Sequence, residues 1–256
     1  MKRGQALVVI LLVMAVALTV GLAVVSRSVT EVGISTTQKE SAQALAAAEA
    51  GIEQALAGNV SLPTGVTTVP AGGSNDLEVP ESLVAGESVT IFLSGHDASQ
   101  NFVAGLDEYT GADLGLCWGQ DNVNPAVEVT IYYKSGANYL VTRQAIDPNS
   151  NRAAQNNFSG TDNNPSCPIG RTYQHYKKIT MPAGTLLMMR VRMLYNQDTP
   201  QYLAVKGSSA IPVQGQDITA VGSEGQTSRK VQVFQRYPDL SPILDTAVFS
   251  GANLVK

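Results

Sequence analysis

Residues 6–25 read Ala6-Leu7-Val8-Val9-Ile10-Leu11-Leu12-Val13-Met14-Ala15-Val16-Ala17-Leu18-Thr19-Val20-Gly21-Leu22-Ala23-Val24-Val25, a stretch without a charge or a proline. Thr19 carries its only polar side chain. Twenty helical residues span about 30 Å, the thickness of the hydrocarbon core of a bilayer. Because a backbone in lipid must satisfy its own hydrogen bonds, the stretch predicts a membrane-spanning helix.

Two basic residues, Lys2 and Arg3, precede this apolar stretch. Positive charges beside a membrane helix stay on the cytoplasmic side, so we expect a cytoplasmic N-terminus and an external remainder. A cleaved secretory signal, a permanent anchor and a pilin-type leader all begin in this way. Secretory signals usually have an apolar region of about 7–15 residues, and the apolar stretch over residues 6–25 is longer than that.

The helical pattern continues well beyond the apolar stretch. No proline occurs from Ser26 to Leu56, and Gly58, Asn59 and Pro63 then provide stop signals. We therefore predict one helix over residues 5–57, roughly 80 Å long. Its second half carries an apolar stripe at helical spacing, formed by Leu45, Ala48, Ile52, Ala55 and Leu56.

Two pieces of this segment resemble type IV pilin-like proteins. The piece Arg3-Gly4-Gln5-Ala6-Leu7-Val8-Val9 looks like a class III signal peptide, and Ala46-Ala47-Ala48-Glu49-Ala50-Gly51-Ile52-Glu53 resembles the alanine-rich end of the long pilin helix. The combination is most similar to minor pilins with a PilX-type N-terminus. The resemblance implies a leader over residues 1–4, charged at Lys2 and Arg3. It also implies cleavage by prepilin peptidase between Gly4 and Gln5.

Two positions depart from the pattern of the major pilins. Val9 stands where those proteins carry a glutamate, five residues after the cleaved bond, and minor components of the PilX type tend to lack that glutamate too. Gln5 stands where the first mature residue is more often Phe or Met. The resemblance therefore indicates a minor rather than a major subunit.

Composition favours an extracellular head after the helix. The chain has 256 residues, a net charge of −4 and only 15% charged residues, so no nucleic-acid partner is expected. Cys117 and Cys167 are its two cysteines. An even count outside the cytoplasm favours a disulfide, which would stabilise the fold by roughly 4 kcal/mol, with two buried free thiols as the alternative.

The remaining residues carry the period of β-strands. Residues 58–80 are rich in Gly, Pro, Thr and Ser and predict a linker, and residues 81–256 predict a β-rich head. Polar residues 147–171 form an excursion that holds Cys167. Strands are predicted over residues 88–93, 114–118, 126–133, 139–146, 173–179, 186–195, 201–205, 216–222, 228–237 and 245–249. The predicted class is α+β: a long N-terminal pilin-like helix followed by a mainly antiparallel β-sandwich head.

Motifs for catalysis and metal binding are weak. His96 and His175 are the only histidines, and no Gly-x-Ser-x-Gly occurs, so we predict neither an enzyme nor a cofactor. A histidine in a cleft beside an acid would revive the enzyme hypothesis. Residues 147–151 match the first half of a calcium loop, but Arg152 and Phe158 replace its glycine and glutamate, which favours a plain turn.

The expected function is a structural minor pilin or pseudopilin-like subunit of a type IV pilus-type filament, anchored in the membrane before assembly. Its expected partners are other pilin subunits through the N-terminal helix, prepilin peptidase and the inner membrane. We expect a single-pass membrane protein that reaches the cell surface in a filament. The alternative is a single-pass membrane-anchored surface protein with a β-sandwich binding or adhesion module.

Overall fold

The computed structural model describes residues 3–57, 62–97, 99–120, 123–162, 167 and 170–239. These residues form an α+β fold, as predicted. The elements are α1 (Arg3–Leu56), β1 (Val66–Ala71), β2 (Asp76–Glu78), β3 (Ser88–Phe92), β4 (Asp113–Trp118), β5 (Ala126–Ser135), β6 (Asn138–Ile146), α2 (Ser150–Asn156), β7 (His175–Thr180), β8 (Thr185–Leu194), β9 (Leu203–Gly207), β10 (Gly215–Glu224) and β11 (Thr227–Arg236).

The chain divides into two compact units. Unit 1 comprises Met1–Val69 and Asp217–Phe234, and unit 2 comprises Pro70–Gln216 and Gln235–Lys256. This division differs from the predicted linker over 58–80 and continuous head over 81–256. The difference arises because Ile218 and Ala220 of β10 pack with Ala48 and Ile52 of the helix.

Unit 1 is built from α1 and from the parts of β1, β10 and β11 that belong to it. These strands lie in the order β1-β10-β11 within one sheet. The helix is buried only in its last turns, at Ala44, Ala48, Gly51 and Ile52. Of the predicted apolar stripe, Leu45 and Leu56 are instead exposed by 41% and 43%.

Unit 2 contains two four-stranded antiparallel sheets, with strand orders β2-β9-β4-β7 and β3-β8-β5-β6. Alternate residues of both sheets enter one core, which gives a β-sandwich. In the first sheet Leu116 lies opposite Val205, and in the second Val129 lies opposite Val191. All four side chains are buried, on the faces of the two sheets that enter the core.

Three elements lie where none was predicted. The strands β1 and β2 fall in the predicted linker, and α2 falls in the predicted polar excursion. Four of the six residues of β1 are exposed, so its sequence lacks the alternation that marks a half-buried strand. The helix α2 buries only Ala153, so it lacks an apolar stripe. The predicted edge strand over 245–249 lies outside the described residues.

Candidate functional site

The N-terminal part of α1 is the first candidate site. Arg3, Gly4 and Gln5 lie in its first turn, and Lys2 lies outside the described residues. From position 8 to position 39 every side chain of the helix is exposed, and Val9 is exposed by 60%. In the part of the chain that the structure describes, α1 is the one helix whose length and composition would allow it to cross a membrane.

Several polar side chains of residues 26–39 form their hydrogen bonds within the helix. The Arg27 Nε donates to the carboxylate of Glu31 at 3.0 Å, and the hydroxyls of Thr30, Thr36 and Thr37 donate to carbonyls four residues earlier. Val29, Val32 and Ile34 are nevertheless more than half exposed. The exposed apolar surface of the helix therefore extends beyond the stretch that opens it.

Cys117 and Cys167 are joined in a disulfide, with their Cα atoms 6.4 Å apart. Both are buried in a small cluster with Tyr173 and Ala204. Cys117 lies on β4, where its register partners are Tyr176 of β7 and Ala204 of β9. The bond therefore attaches Cys167 to an interior strand of a sheet.

Tyr173 of this cluster also has polar contacts. The Tyr173 hydroxyl donates to Glu78 Oε1 at 3.2 Å, and the guanidinium of Arg171 forms an ion pair with the same carboxylate. Burial, together with the charge of Glu78, raises the pKa of Tyr173. Arg171 also lies over the ring of Tyr202, at 3.9 Å from its centroid. These contacts connect Glu78 of β2 with Arg171 and with Tyr173 of the disulfide cluster.

His175 is the first residue of β7, and its ring centroid lies 5.8 Å from that of the buried Trp118. One ring nitrogen is 3.4 Å from the carbonyl oxygen of Val123. Burial lowers the pKa of His175, so its imidazole is neutral at pH 7. These contacts give His175 a packing role.

His96 lies in a cluster of aromatic rings. Its imidazole stacks on Tyr237 with centroids 3.8 Å apart, and it meets Phe92 edge-on at 4.6 Å and Phe102 at 5.6 Å. Burial lowers the pKa of His96 as well. No local pattern in the sequence could have found this cluster, because Phe92 and Tyr237 are far apart along the chain.

A cleft in unit 2 brings His96 and Asp107 to the same wall. This is the geometry that would revive the enzyme hypothesis. The described residues that line the cleft include no serine, threonine or cysteine, and the hydroxyl they contain is the phenol of Tyr237, whose ring stacks on His96. Nor do three His, Cys, Asp or Glu side chains converge on a metal position anywhere in the described ranges.

The residues of the calcium-like motif have structural roles. Asn149 caps α2, because its side-chain oxygen accepts a hydrogen bond from the Arg152 amide at 3.1 Å. The Arg152 Nε donates to the buried carboxylate of Asp147 at 2.6 Å. The motif is thus the start of a short helix, where a plain turn was predicted.

Together these features define a protein with a long apolar N-terminal helix and a disulfide-bonded β-sandwich. Comparisons with protein-family models, with curated proteins and with solved structures gave no match. Its function is therefore inferred from its own residues.

Proposed function

We propose that this protein is a pilin-like structural subunit, a minor component of a type IV pilus-type or pseudopilus filament. The observation that carries the proposal is the division of α1 into two parts. Residues 8–39 are exposed all round, whereas Ala44, Ala48 and Ile52 are buried against β10. One end of the helix holds the subunit's own fold, and the other end requires lipid or neighbouring helices to cover it.

The N-terminal residues support this proposal chemically. Lys2 and Arg3 hold the leader in the cytoplasm, and prepilin peptidase cleaves between Gly4 and Gln5. Residues 6–25 then span the inner membrane once until the subunit is assembled. During assembly the exposed helix exchanges lipid for the helices of other pilin subunits. The finished filament lies at the cell surface.

Val9 supports a minor position for the subunit within such a filament. A glutamate at this position in a major pilin would assist docking onto the N-terminus of a neighbour. The isopropyl group of Val9 carries no charge, so this subunit docks through apolar contacts with other partners. We therefore assign it to a minor position.

The experiment that tests the proposal is an intact-mass measurement on the protein from its native membrane or surface fraction. We expect the mass of a chain that begins at Gln5. The variant Gly4→Ala should retain residues 1–4, because the peptidase requires the glycine. The control Gly21→Ala makes the same change where nothing lies within 4 Å of the added methyl, and it should be processed normally. Equal masses for wild type and Gly4→Ala would refute processing.

The cleft of unit 2 favours the second candidate function, a single-pass membrane-anchored surface protein with a β-sandwich binding module. This candidate predicts a chain that still begins at Met1 and does not co-purify with sheared filaments. A start between Ala17 and Ser28 would indicate an ordinary secretory signal and would contradict both candidates.

A further inference from the structure

The strongest unexplained feature of unit 2 is the cleft beside His96, which we call the His96 cleft. It is lined by residues that include His96, Asp107, Ile211, Pro212, Gln216 and Tyr237. Its volume is about 350 Å³, at the lower end of the range of small-molecule sites, which is about 300–1,000 Å³. A site of this size fits a ligand of about one ring.

Hydrogen bonds fix the walls of the His96 cleft. The amide of Gly95 donates to the Leu106 carbonyl at 2.6 Å, and the amide of Val103 donates to the Gly95 carbonyl at 3.0 Å. The side chain of Gln214 bonds both the amide and the carbonyl of Phe92, at 2.7 and 2.9 Å. The cleft is therefore a preorganised part of the sandwich.

The imidazole of His96 is short of hydrogen bonds. Its Nδ1 atom is buried and has no partner among the described residues. A neutral imidazole offers one donor and one acceptor, and a buried polar atom without a partner is costly. Nδ1 is closed to solvent, so a hydroxyl group of a ligand in the cleft has only the other ring nitrogen, Nε2, with which to bond.

The remaining lining restricts the charge of the ligand. The described residues that line the cleft include no lysine or arginine, and Asp107 supplies a carboxylate. Burial keeps His96 neutral at pH 7, so an anion would find no positive charge there. A carboxylate and the amide of Gln216 both form hydrogen bonds with hydroxyl groups. The cleft therefore suits a neutral, hydroxyl-rich ligand.

The apolar lining restricts the shape of the ligand. The stacked rings of His96 and Tyr237 have an interplanar angle of 21°, and Ile211 and Pro212 add aliphatic surface. Because His96 and Tyr237 cover one face of each other, the surfaces left for a ligand are an outer ring face and the aliphatic side chains. A pyranose ring has one face of C–H groups, which packs on such surfaces, and a rim of hydroxyls.

We propose that the His96 cleft binds a neutral sugar, as a single pyranose unit. His96 and Asp107 bond its hydroxyls, and the ring and aliphatic surfaces contact its C–H face. The proposal is independent of N-terminal processing, so either can fail without the other.

The test is saturation-transfer difference NMR on the full chain in detergent, with glucose, galactose, mannose and N-acetylglucosamine as separate probes. We expect at least one sugar to receive saturation at its ring C–H protons. The variant His96→Phe keeps the aromatic packing and removes both ring nitrogens, so it should weaken binding about tenfold or more. The matched control is His175→Phe, the same change at the histidine outside the cleft, and it should bind as wild type.

Two further variants keep the test decisive if His96→Phe does not fold. Asp107→Asn alters an exposed side chain and should also weaken binding. Tyr237→Leu removes one stacked ring, and its control is Tyr139→Leu at a residue that is 71% exposed. Absence of transfer to every sugar would overturn the proposal. So would equal binding by wild type, Asp107→Asn and Tyr237→Leu, or binding of tetramethylammonium in place of the sugars.

Discussion

At the scale of single residues, the Asp147 carboxylate is held inside unit 2 by Arg152. The Asp147 side chain is fully buried, and it accepts hydrogen bonds from Arg152 Nε at 2.6 Å and Nη2 at 2.8 Å. The amide of Asn149 donates to it at 2.8 Å. Removing the cation would leave a buried charge with fewer partners, which is a strongly unfavourable state.

We therefore expect Arg152→Met to lower the free energy of unfolding by about 3 kcal/mol. The control is Arg143→Met, which breaks the Arg143–Glu128 ion pair at 3.0 Å, where the Arg143 side chain is 56% exposed. That exposed pair should contribute only about 0–1 kcal/mol. Urea unfolding, followed by the fluorescence of Trp118, measures the free energy of unfolding of both variants, because Trp118 is the single tryptophan of the chain. Equal losses in the two variants would contradict the assigned role of Arg152.

Residue-level roles were the hardest part to predict from the sequence. Arg152 was singled out for breaking a calcium motif, but its pairing with Asp147 depends on how α2 begins. His96 was noticed as one of two histidines, yet its ring partner Tyr237 lies 141 residues away along the chain. A pattern within a short window contains no information on such long-range contacts.

At the scale of elements, α1 and β10 approach each other closely within unit 1. A Cβ added at Gly222 would overlap the carbonyl oxygen of Ala44 and lie 2.7 Å from the amide nitrogen of Ala48. The small side chains of Ala44 and Ala48 make the approach sterically feasible. On β11, the Arg229 guanidinium donates two hydrogen bonds to the Ser41 hydroxyl of α1, at 2.8 and 2.6 Å.

Gly222→Ala should therefore force the helix and the strand apart, at a cost of about 1–3 kcal/mol. Hydrogen exchange of the amides of residues 40–56 measures the effect, and we expect it to become faster. Gly33→Ala serves as the control, because nothing lies within 4 Å of the added methyl, and it should leave that exchange no faster than in wild type. Unchanged exchange in Gly222→Ala would contradict the close approach of α1 and β10.

Elements with a buried alternate face were predictable, and the others were not. The hairpin of β5 and β6 and the strand β8 follow from alternation, since Met189, Val191 and Met193 are all fully buried. Arg190 alternates with these residues along β8 and yet is only 3% exposed. Its burial depends on residues that approach it from elsewhere in unit 2, among them Asp239. The assignment of strands to three separate sheets also depends on long-range pairing.

At the scale of the whole molecule, the two units differ in how far they bury their apolar side chains. Unit 2 encloses its core between two sheets and adds a disulfide, which closes a loop with a sequence separation of 50 and contributes roughly 4 kcal/mol. Unit 1 leaves the apolar side chains of residues 8–25 exposed along α1. Such a surface requires an apolar environment outside the chain, either lipid or other helices.

The membrane is the environment that this helix should occupy before any assembly. A charge at the centre of a membrane span costs about 2.5–3.5 kcal/mol, so Val16→Arg should reduce the fraction of protein that resists alkaline carbonate extraction from membranes. Val29→Arg places the same charge on the same helix outside residues 6–25, and it should be retained like wild type. Both valines are exposed, by 55% and 68%, so neither change disturbs packing within unit 1. Equal retention of all three proteins would exclude residues 6–25 as the anchor. Selective loss of Val16→Arg would establish the membrane-anchored state from which a filament subunit must begin.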